Sequence, residues 1–172
     1  MAIWAREPKA TFSTAPEGLH ASVCVDVVDI GLEQTEYGQK YKVQLRWVIE
    51  ELDPTSGRPF LVVRKFSNTL HKKSILRQTL EMWRGKPFTP SELEGFDLEK
   101  LIGVSCQVQI VHNVKADGQT FGNVQAVIPL GKGMTKLAVP QDYTRVRDRD
   151  KAQGVGDANG HVPEEEEDPV PF

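Results

Sequence analysis

The chain has 172 residues, of which 39% are hydrophobic and 26% are charged, and its formal net charge is −3. These values are typical of a folded globular domain and exclude a wholly disordered chain. No apolar run approaches the ~20 residues that a membrane-spanning helix needs, and the start, MAIWAREPKA, lacks the apolar stretch of a secretory signal. Two cysteines are too few for a disulfide framework, so we expect buried thiols and a cytoplasmic location.

The charge is unevenly distributed along the chain. Residues 151–172 contain one lysine and six acidic residues, a balance of −5, which leaves +2 on residues 1–150. From Tyr37 to Lys73 there are eight basic residues and three acidic ones. A basic region on a chain with an acidic end predicts a polyanionic ligand and a separate role for the tail.

The first half of the chain predicts three strands. Residues 1–18, which contain Pro8 and Pro16, predict an irregular arm, and the valine-rich HASVCVDVVDI predicts the first strand. YKVQLRWVIE alternates most regularly and directs Lys42, Gln44 and Arg46 away from its apolar face. FLVVRKF predicts a third strand, but its pattern does not decide which residues face the core.

The second half predicts a helix and two more strands. In SNTLHKKSILRQTLEMWRG the apolar residues recur at helical spacing, with Ser67, Asn68 or Thr69 as a candidate cap and Gly85 as the stop. TPSELEGFDLEKLIG predicts short helical turns, and GVSCQVQIVHN and FGNVQAVIPL predict strands four and five. Residues 131–150 show little periodicity.

Three strands, a helix and a final hairpin is the element order of the OB-fold, a five-stranded, partly open barrel. We therefore predict a mainly β domain, an OB-fold barrel over residues 19–148 with one helix between strands 3 and 4. A flexible linker and acidic tip are expected over 149–172. A generic α+β sheet with a covering helix and an SH3-like barrel are the competing architectures, and the long helix disfavours the second.

Residues that could support catalysis are scattered. His20, His71, His112 and His161 have no metal-ligand spacing to another His, Cys or carboxylate. Asp26 and Asp29 fall on opposite faces of a strand, so we interpret them as a solvated pair. Gly131-Lys132-Gly133 is too short for a phosphate loop. We expect a protein that is not an enzyme and that needs neither a cofactor nor a metal.

The basic region predicts a binding surface for single-stranded nucleic acid. In OB-folds, strands 2 and 3 and the loops between strands 1–2 and 4–5 form the groove for nucleic acid. Lysine and arginine bind phosphate, and aromatic rings stack on unpaired bases. By parity Tyr41 and Trp47 belong to the core, whereas Phe66 and Phe121 fit either the core or a stacking role. The candidates are Tyr37, Lys40, Lys42, Arg46, Arg64, Lys65, Phe66, Lys115, Phe121 and Lys132.

The last residues give a more specific indication. A short glycine-containing linker, GVGDANG, precedes PEEEEDPVPF, an acidic run followed by an apolar, aromatic end. This arrangement resembles the phage and bacterial single-stranded DNA-binding proteins, which join an OB-fold core to an acidic tip that ends in Pro-Phe. The stretch KKSILRQTLEMWRGKPFTPSEL is similar to the phage-encoded variety. The tip departs from the bacterial pattern in its glutamates and in Pro169, and its linker is short.

The resemblance implies a protein that protects single-stranded DNA during replication or recombination, in a bacterial host cytoplasm if it is phage-encoded. It also implies recruitment of replication and recombination proteins through the tip; the implied contact residues are Glu166, Glu167, Asp168, Pro171 and Phe172. The oligomeric state is left open, because the fold occurs as monomer, dimer and tetramer, so a homo-oligomer is compatible. An RNA-binding OB module, and a protein-binding adaptor or inhibitor whose acidic tail mimics nucleic acid, are the alternatives.

Overall fold

Five antiparallel strands form the main part of the computed structural model, which describes Ala5 and residues 14–153, with side chains up to 149. The mainly β class is confirmed. The strands are β1 (Gly18–Thr35), β2 (Gly38–Leu52), β3 (Pro59–Ser67), β4 (Ser105–Val114) and β5 (Thr120–Ile128). The helices are α1 (Ile75–Arg84), α2 (Pro90–Glu94) and α3 (Val146–Gln153), with a 3-10 turn at Leu98–Leu101.

The sheet has the strand order β3-β2-β1-β4-β5. Strand β1 lies at its centre because its 18 residues are long enough to pair with β4 near the start and with β2 over most of its length. The register of β1 against β2 shifts between Cys24 and Asp26 and again between Asp29 and Gly31. Each irregularity bends the strand and changes which face the following side chains occupy.

The core lies on one face of the sheet, here called the inner face. Alternate residues of β2, including Leu45 and Trp47, are fully buried there, and α1 packs over them through Leu80 and Trp83. The two tryptophan rings are 6.2 Å apart between centroids. The predicted helix is confirmed, with a later start than expected.

Helix α1 starts later because Ser74 is its N-cap, where the Ser74 hydroxyl accepts from the Arg77 amide at 3.0 Å. None of the three cap candidates predicted from the sequence is used. The helix ends as predicted at Gly85, whose φ of 73° is readily accessible only to glycine.

The sheet is not closed into a barrel by backbone pairing within the described part of the chain. Its edge strands β3 and β5 approach each other, and the Arg64 guanidinium joins them. Arg64 Nη1 donates to the carbonyl oxygens of Val124 and Gln125, each at 3.0 Å. The five-stranded antiparallel sheet is therefore confirmed, whereas the closed barrel is not.

Segments at both ends of the domain pack onto the sheet. Ala15 enters the core, and its carbonyl lies 2.6 Å from His112 Nε2, so residues 14–17 of the predicted irregular arm are ordered against β4.

Residues 137–146, here called the strap, cover part of the outer face of the sheet. Helix α3 begins before residue 149, where the linker was predicted. The tip residues Glu166, Glu167, Asp168, Pro171 and Phe172 lie outside the described residues. No helix in the described part of the chain is long and apolar enough to cross a membrane.

Candidate nucleic-acid interface

Cations line up on the outer face of β2 and β3 because both strands alternate regularly. Lys42, Gln44 and Arg46 of β2 point away from the buried residues between them. The register places Lys65 opposite Gln44 and Ser67 opposite Lys42. The predicted outward direction of Lys42 and Arg46 is thus confirmed. We call Lys40, Lys42, Arg46 and Lys65, together with the neighbouring Arg64, whose parity in β3 is inward, the basic face.

Asp26 is the first major departure from the sequence interpretation. It is only 1% exposed, so it does not belong to a solvated pair. The register shift after Cys24 directs Asp26 to the outer face, directly opposite Arg46. There the strap covers it: its carboxylate accepts from Tyr143 Oη at 2.8 Å, the Val146 amide at 2.9 Å and Arg145 Nε at 3.0 Å.

These contacts leave Arg46 without a neutralising partner. Asp26 is its cross-strand neighbour, but both carboxylate oxygens are engaged by the strap, and Arg145 supplies the compensating charge. Arg46 Nε donates instead to the neutral Gln44 side chain at 2.8 Å. Lys42 Nζ donates to the Ser67 hydroxyl at 3.0 Å. Neither cation forms an ion pair with any described residue.

A cleft of ≈ 480 Å³ opens beside these residues, between the β1–β2 hairpin and the start of α1. We call it the hairpin cleft. No described carboxylate lines it, although several cations do. Besides four members of the basic face, its lining includes Lys73 and His71, which the sequence interpretation did not select because it placed them in the helical stretch. The charged or titratable lining residues are Lys40, Lys42, Arg64, Lys65, His71 and Lys73.

A second cleft of ≈ 630 Å³ lies between the edge strands β3 and β5, and we call it the seam cleft. It shares Arg64 and Lys65 with the hairpin cleft, so the two form one continuous basic path. The amide side chains of Asn113, Asn123 and Gln125 form its opposite wall. Amides can donate and accept hydrogen bonds, so this wall suits phosphate oxygens or base edges.

Arg64 is one of the two cations that line both clefts. It follows the inward parity of β3, between the buried Val62 and Phe66, and its guanidinium lies 5.1 Å from the Phe66 ring centroid. Partial burial lowers the pKa of Arg64, although an arginine stays charged at any physiological pH. Its recorded hydrogen-bond acceptors are neutral carbonyls, and it has no carboxylate partner among the described residues.

The other cation of the shared path, Lys65, does have an acidic neighbour. Lys65 Nζ lies 2.9 Å from Glu33 of β1, and both side chains are exposed. Exposed pairs of this kind contribute about 0–1 kcal/mol, so a phosphate can compete with Glu33 for the lysine.

The remaining predicted residues of β3, β5 and their flanking loops have three different placements. Phe66 is 3% exposed and belongs to the core, because its parity in β3 directs it inward; it is therefore removed from the stacking candidates. Phe121 pairs with Asn113 and is half-buried on the side that carries the seam cleft, with Lys115 Nζ 5.1 Å from its ring centroid. Lys132 follows β5 and lines neither cleft.

The β1–β2 hairpin carries two exposed aromatic rings, neither of which lines a cleft. Tyr37 is 85% exposed at its turn, with Lys40 Nζ 5.5 Å from the ring centroid. Tyr41 is 66% exposed, although parity assigned it to the core. The parity is correct, but β2 extends beyond the packed helix, so the inner face is uncovered at this point. The nearby turn at Gly38 was the signal that could have identified Tyr41.

The described residues do not bring together side chains that could hold a metal ion, and their cysteines are not activated nucleophiles. No cluster of three or more His, Cys, Asp or Glu that could hold a metal occurs there. Cys24 and Cys106 are both free and buried, as predicted, and burial raises the pKa of Cys106 to about 12. Such thiols are protonated and weakly nucleophilic at neutral pH.

No protein-family model matches the chain, and the search of curated proteins found no match.

Proposed function

We propose that this protein binds single-stranded DNA without strong sequence preference along the path formed by the hairpin and seam clefts. The observation that carries the proposal is the set of cations, including Lys42, Arg46 and Arg64, that have no carboxylate partner among the described residues. Lys42 and Arg64 line the clefts, and Arg46 lies opposite Val63 of the seam cleft. Unneutralised cations in this arrangement attract a polyanion and release its counterions on binding.

The Tyr37 and Phe121 rings lie beside other lysines, Lys40 and Lys115, and Tyr41 is exposed in the same hairpin as Tyr37. Unpaired bases can stack on such rings.

A single strand fits this surface better than a duplex. Reading a duplex usually requires a helix or a two-stranded ribbon in the major groove. Helix α1 uses its apolar side against the core, and the clefts are bounded by strands and a hairpin. Phosphate contacts and ring stacking do not depend on base identity, so little sequence preference is expected.

The strand order also supports a more specific proposal about the fold, namely that the sheet is an OB-fold. The strand order β3-β2-β1-β4-β5, with the helix between β3 and β4, is compatible with such a barrel if β3 and β5 were joined. Arg64 makes that connection through its side chain. From the sequence alone, we further propose that the protein protects single strands in replication or recombination. We also propose that it recruits proteins through the acidic tip. No reaction is needed for these roles.

The test is a fluorescence titration with single-stranded and double-stranded oligonucleotides at two salt concentrations. We expect preference for the single strand and weakening with salt. Lys42→Glu combined with Arg46→Glu should reduce affinity about tenfold to a hundredfold at low salt and lower the salt slope by about 1.4, as loss of two phosphate contacts requires. Lys86→Glu with Lys100→Glu, which changes the net charge equally outside the clefts, is the matched control.

Two results would contradict the proposal. Wild-type protein that fails to bind either strand type, or binds them independently of salt, lacks the phosphate contacts that we infer. Equal losses in the two double variants would show that general charge, rather than the basic face, attracts the strand. Tighter binding to a matched RNA strand would favour the RNA-binding alternative.

A further inference from the structure

A third cleft, of ≈ 290 Å³, lies on the outer face between β3 and the strap, and we call it the strap cleft. Val48, Pro59 and Leu61 form the sheet side of the cleft. Pro140 and Tyr143 of the strap, with Arg149 of α3, line the opposite side. Neither the basic path nor the core accounts for this surface, and Leu61 is 41% exposed within it.

The aromatic wall of the strap cleft is held in place by a buried network. The Tyr143 hydroxyl donates to Asp26 at 2.8 Å, and Asp26 also fixes the adjacent Arg145 and the Val146 amide. The Tyr143 ring packs with the apolar cluster that contains Val48. A ring that is already immobilised loses little conformational entropy when a ligand stacks on it.

The charges around the cleft favour a neutral ring over a phosphate. Arg58 lies 3.7 Å from Asp142 across the opening, so these two charges largely offset each other. The Arg149 guanidinium lies 5.7 Å from the Tyr143 ring centroid, which leaves a planar cation beside an aromatic face. Apart from these charged residues and Thr144, the lining consists of aliphatic side chains, prolines and the Tyr143 ring. The volume is at the small end for ligand sites, which suits one ring system better than a peptide of several residues.

The strap cleft is continuous with the basic face along the β2–β3 ladder. Successive outer-face rungs pair Val48 with Leu61, Arg46 with Val63, Gln44 with Lys65 and Lys42 with Ser67. The distance from the first rung to the last is about 20 Å at ~3.3 Å per residue. A strand whose phosphates contact Lys42 and Arg46 can therefore place a base at the Leu61 end.

We infer that the strap cleft holds one unpaired nucleobase of the strand bound to the basic face, between Leu61 and the Tyr143 ring. The inference rests on the proposed function and adds to it a base-binding position that the strap creates. Arg149 lies beside this position, and Arg58 and Asp142 border its opening. Because Leu61 and Tyr143 contact the flat ring of the base, the cleft is expected to accept any base regardless of its identity.

The experiment fills the cleft with a neutral group and measures how strongly binding depends on bases. In Leu61→Cys the new thiol is modified with N-ethylmaleimide; Cys24 and Cys106 are 0% exposed and are expected to remain unreacted. The affinities for oligothymidylate and for an abasic strand of the same length are then compared before and after modification. Leu19→Cys, at another exposed leucine on β1, is modified in parallel as the control.

We expect modification at residue 61 to reduce the ratio of the two affinities about fivefold or more, as loss of one stacked base requires. The control adduct should leave the ratio unchanged. An unchanged ratio at residue 61, or equal losses for both oligonucleotides, would overturn the inference, because the cleft would then contact no base. The proposed function would survive that result, since unmodified protein would still bind both strands in a salt-dependent way.

A second measurement does not depend on the variant. Oligonucleotides that carry 5-iodouracil are crosslinked to wild-type protein by light, and the modified peptide is identified by mass spectrometry. Crosslinks at Tyr143 support the inference. Crosslinks confined to Tyr37, Tyr41 and Phe121 would overturn it while retaining the basic path. Failure of the wild-type protein to bind any single strand would overturn both proposals together.

Discussion

Asp26 and Arg46 are direct cross-strand neighbours on the outer face, and the boundary between two regions runs between them. On the strap side the buried carboxylate of Asp26 is satisfied by three donors, and Arg145 is shared with Glu99 at 2.7 Å. On the open side Arg46 and Lys42 form no ion pair with the described residues. The same two strands thus carry a charge that is paired within the fold and charges that no described residue neutralises.

Charged side chains have different roles on the two sides of this boundary. Burying an ion is unfavourable unless it is paired and hydrogen-bonded, so the strap region is expected to lose much stability when its network is broken. Cations that lack an ion pair and repel one another contribute little to stability, so their loss should affect mainly binding. Variants on either side of the boundary can therefore be distinguished by unfolding and by titration with DNA.

The largest expected effect is that of Asp26→Ala. It leaves Arg145 as a partly buried cation, and the Tyr143 hydroxyl and Val146 amide lose their acceptor. The free energy of unfolding should fall by about 3–5 kcal/mol, measured by urea denaturation. Asp29→Ala, which removes an exposed carboxylate bonded to the Gly31 amide, should lower it by less than about 1 kcal/mol. Equal losses would show that the strap is not fastened through Asp26.

The pH dependence of stability tests the same network. Burial alone would raise the pKa of Asp26, but hydrogen bonds from Val146, Tyr143 and Arg145 outweigh it, and the pKa lies below its ordinary value. The carboxylate therefore stabilises the fold above the unfolded pKa near 4, and this contribution is lost as the pH falls through the lower folded pKa. Between pH 5 and 2, unfolding free energy should fall more steeply in the wild type than in Asp26→Asn. Parallel curves would refute the assignment.

The sequence predicted what depends on local periodicity. Alternation in β2 placed Lys42 and Arg46 outward and Trp47 inward, and the helical spacing of apolar residues predicted α1 up to Gly85. These features are decided by residues within a few positions of each other. The element order also predicted a five-stranded antiparallel sheet.

What the sequence did not reveal depends on contacts between distant segments. The register shift in β1 that directs Asp26 outward arises from pairing with β2, and the strap that covers it lies 117 residues away at Tyr143. Tyr41 has the parity of a core residue but lies beyond the end of the packed helix. Phe66 and Arg64 face inward, which the mixed pattern of β3 left undecided.

Tyr41→Ala tests how far the open region extends along the hairpin. The ring is exposed, so its removal should change the unfolding free energy little, by about 0.5 kcal/mol or less. Affinity for single-stranded DNA should fall about tenfold through loss of one stacking platform. Tyr41→Phe keeps the ring and should bind like the wild type. If both variants bind equally well, the hairpin ring is not in contact with a base.

The smallest effect is expected from Glu33→Gln, which should raise the affinity for DNA, whereas the other variants lower affinity or stability. Glu33 neutralises Lys65, whose side chain lines both clefts, so its removal should extend the open region by one cation. An exposed pair contributes about 0–1 kcal/mol, which corresponds to a gain in DNA affinity of about twofold to fivefold. Glu36→Gln changes the net charge equally in the nearby turn, where the structure records no ion pair with a described residue. A larger gain at Glu33 than at Glu36 assigns the effect to Lys65, whereas equal gains would mean that the strand responds only to the total charge of the hairpin.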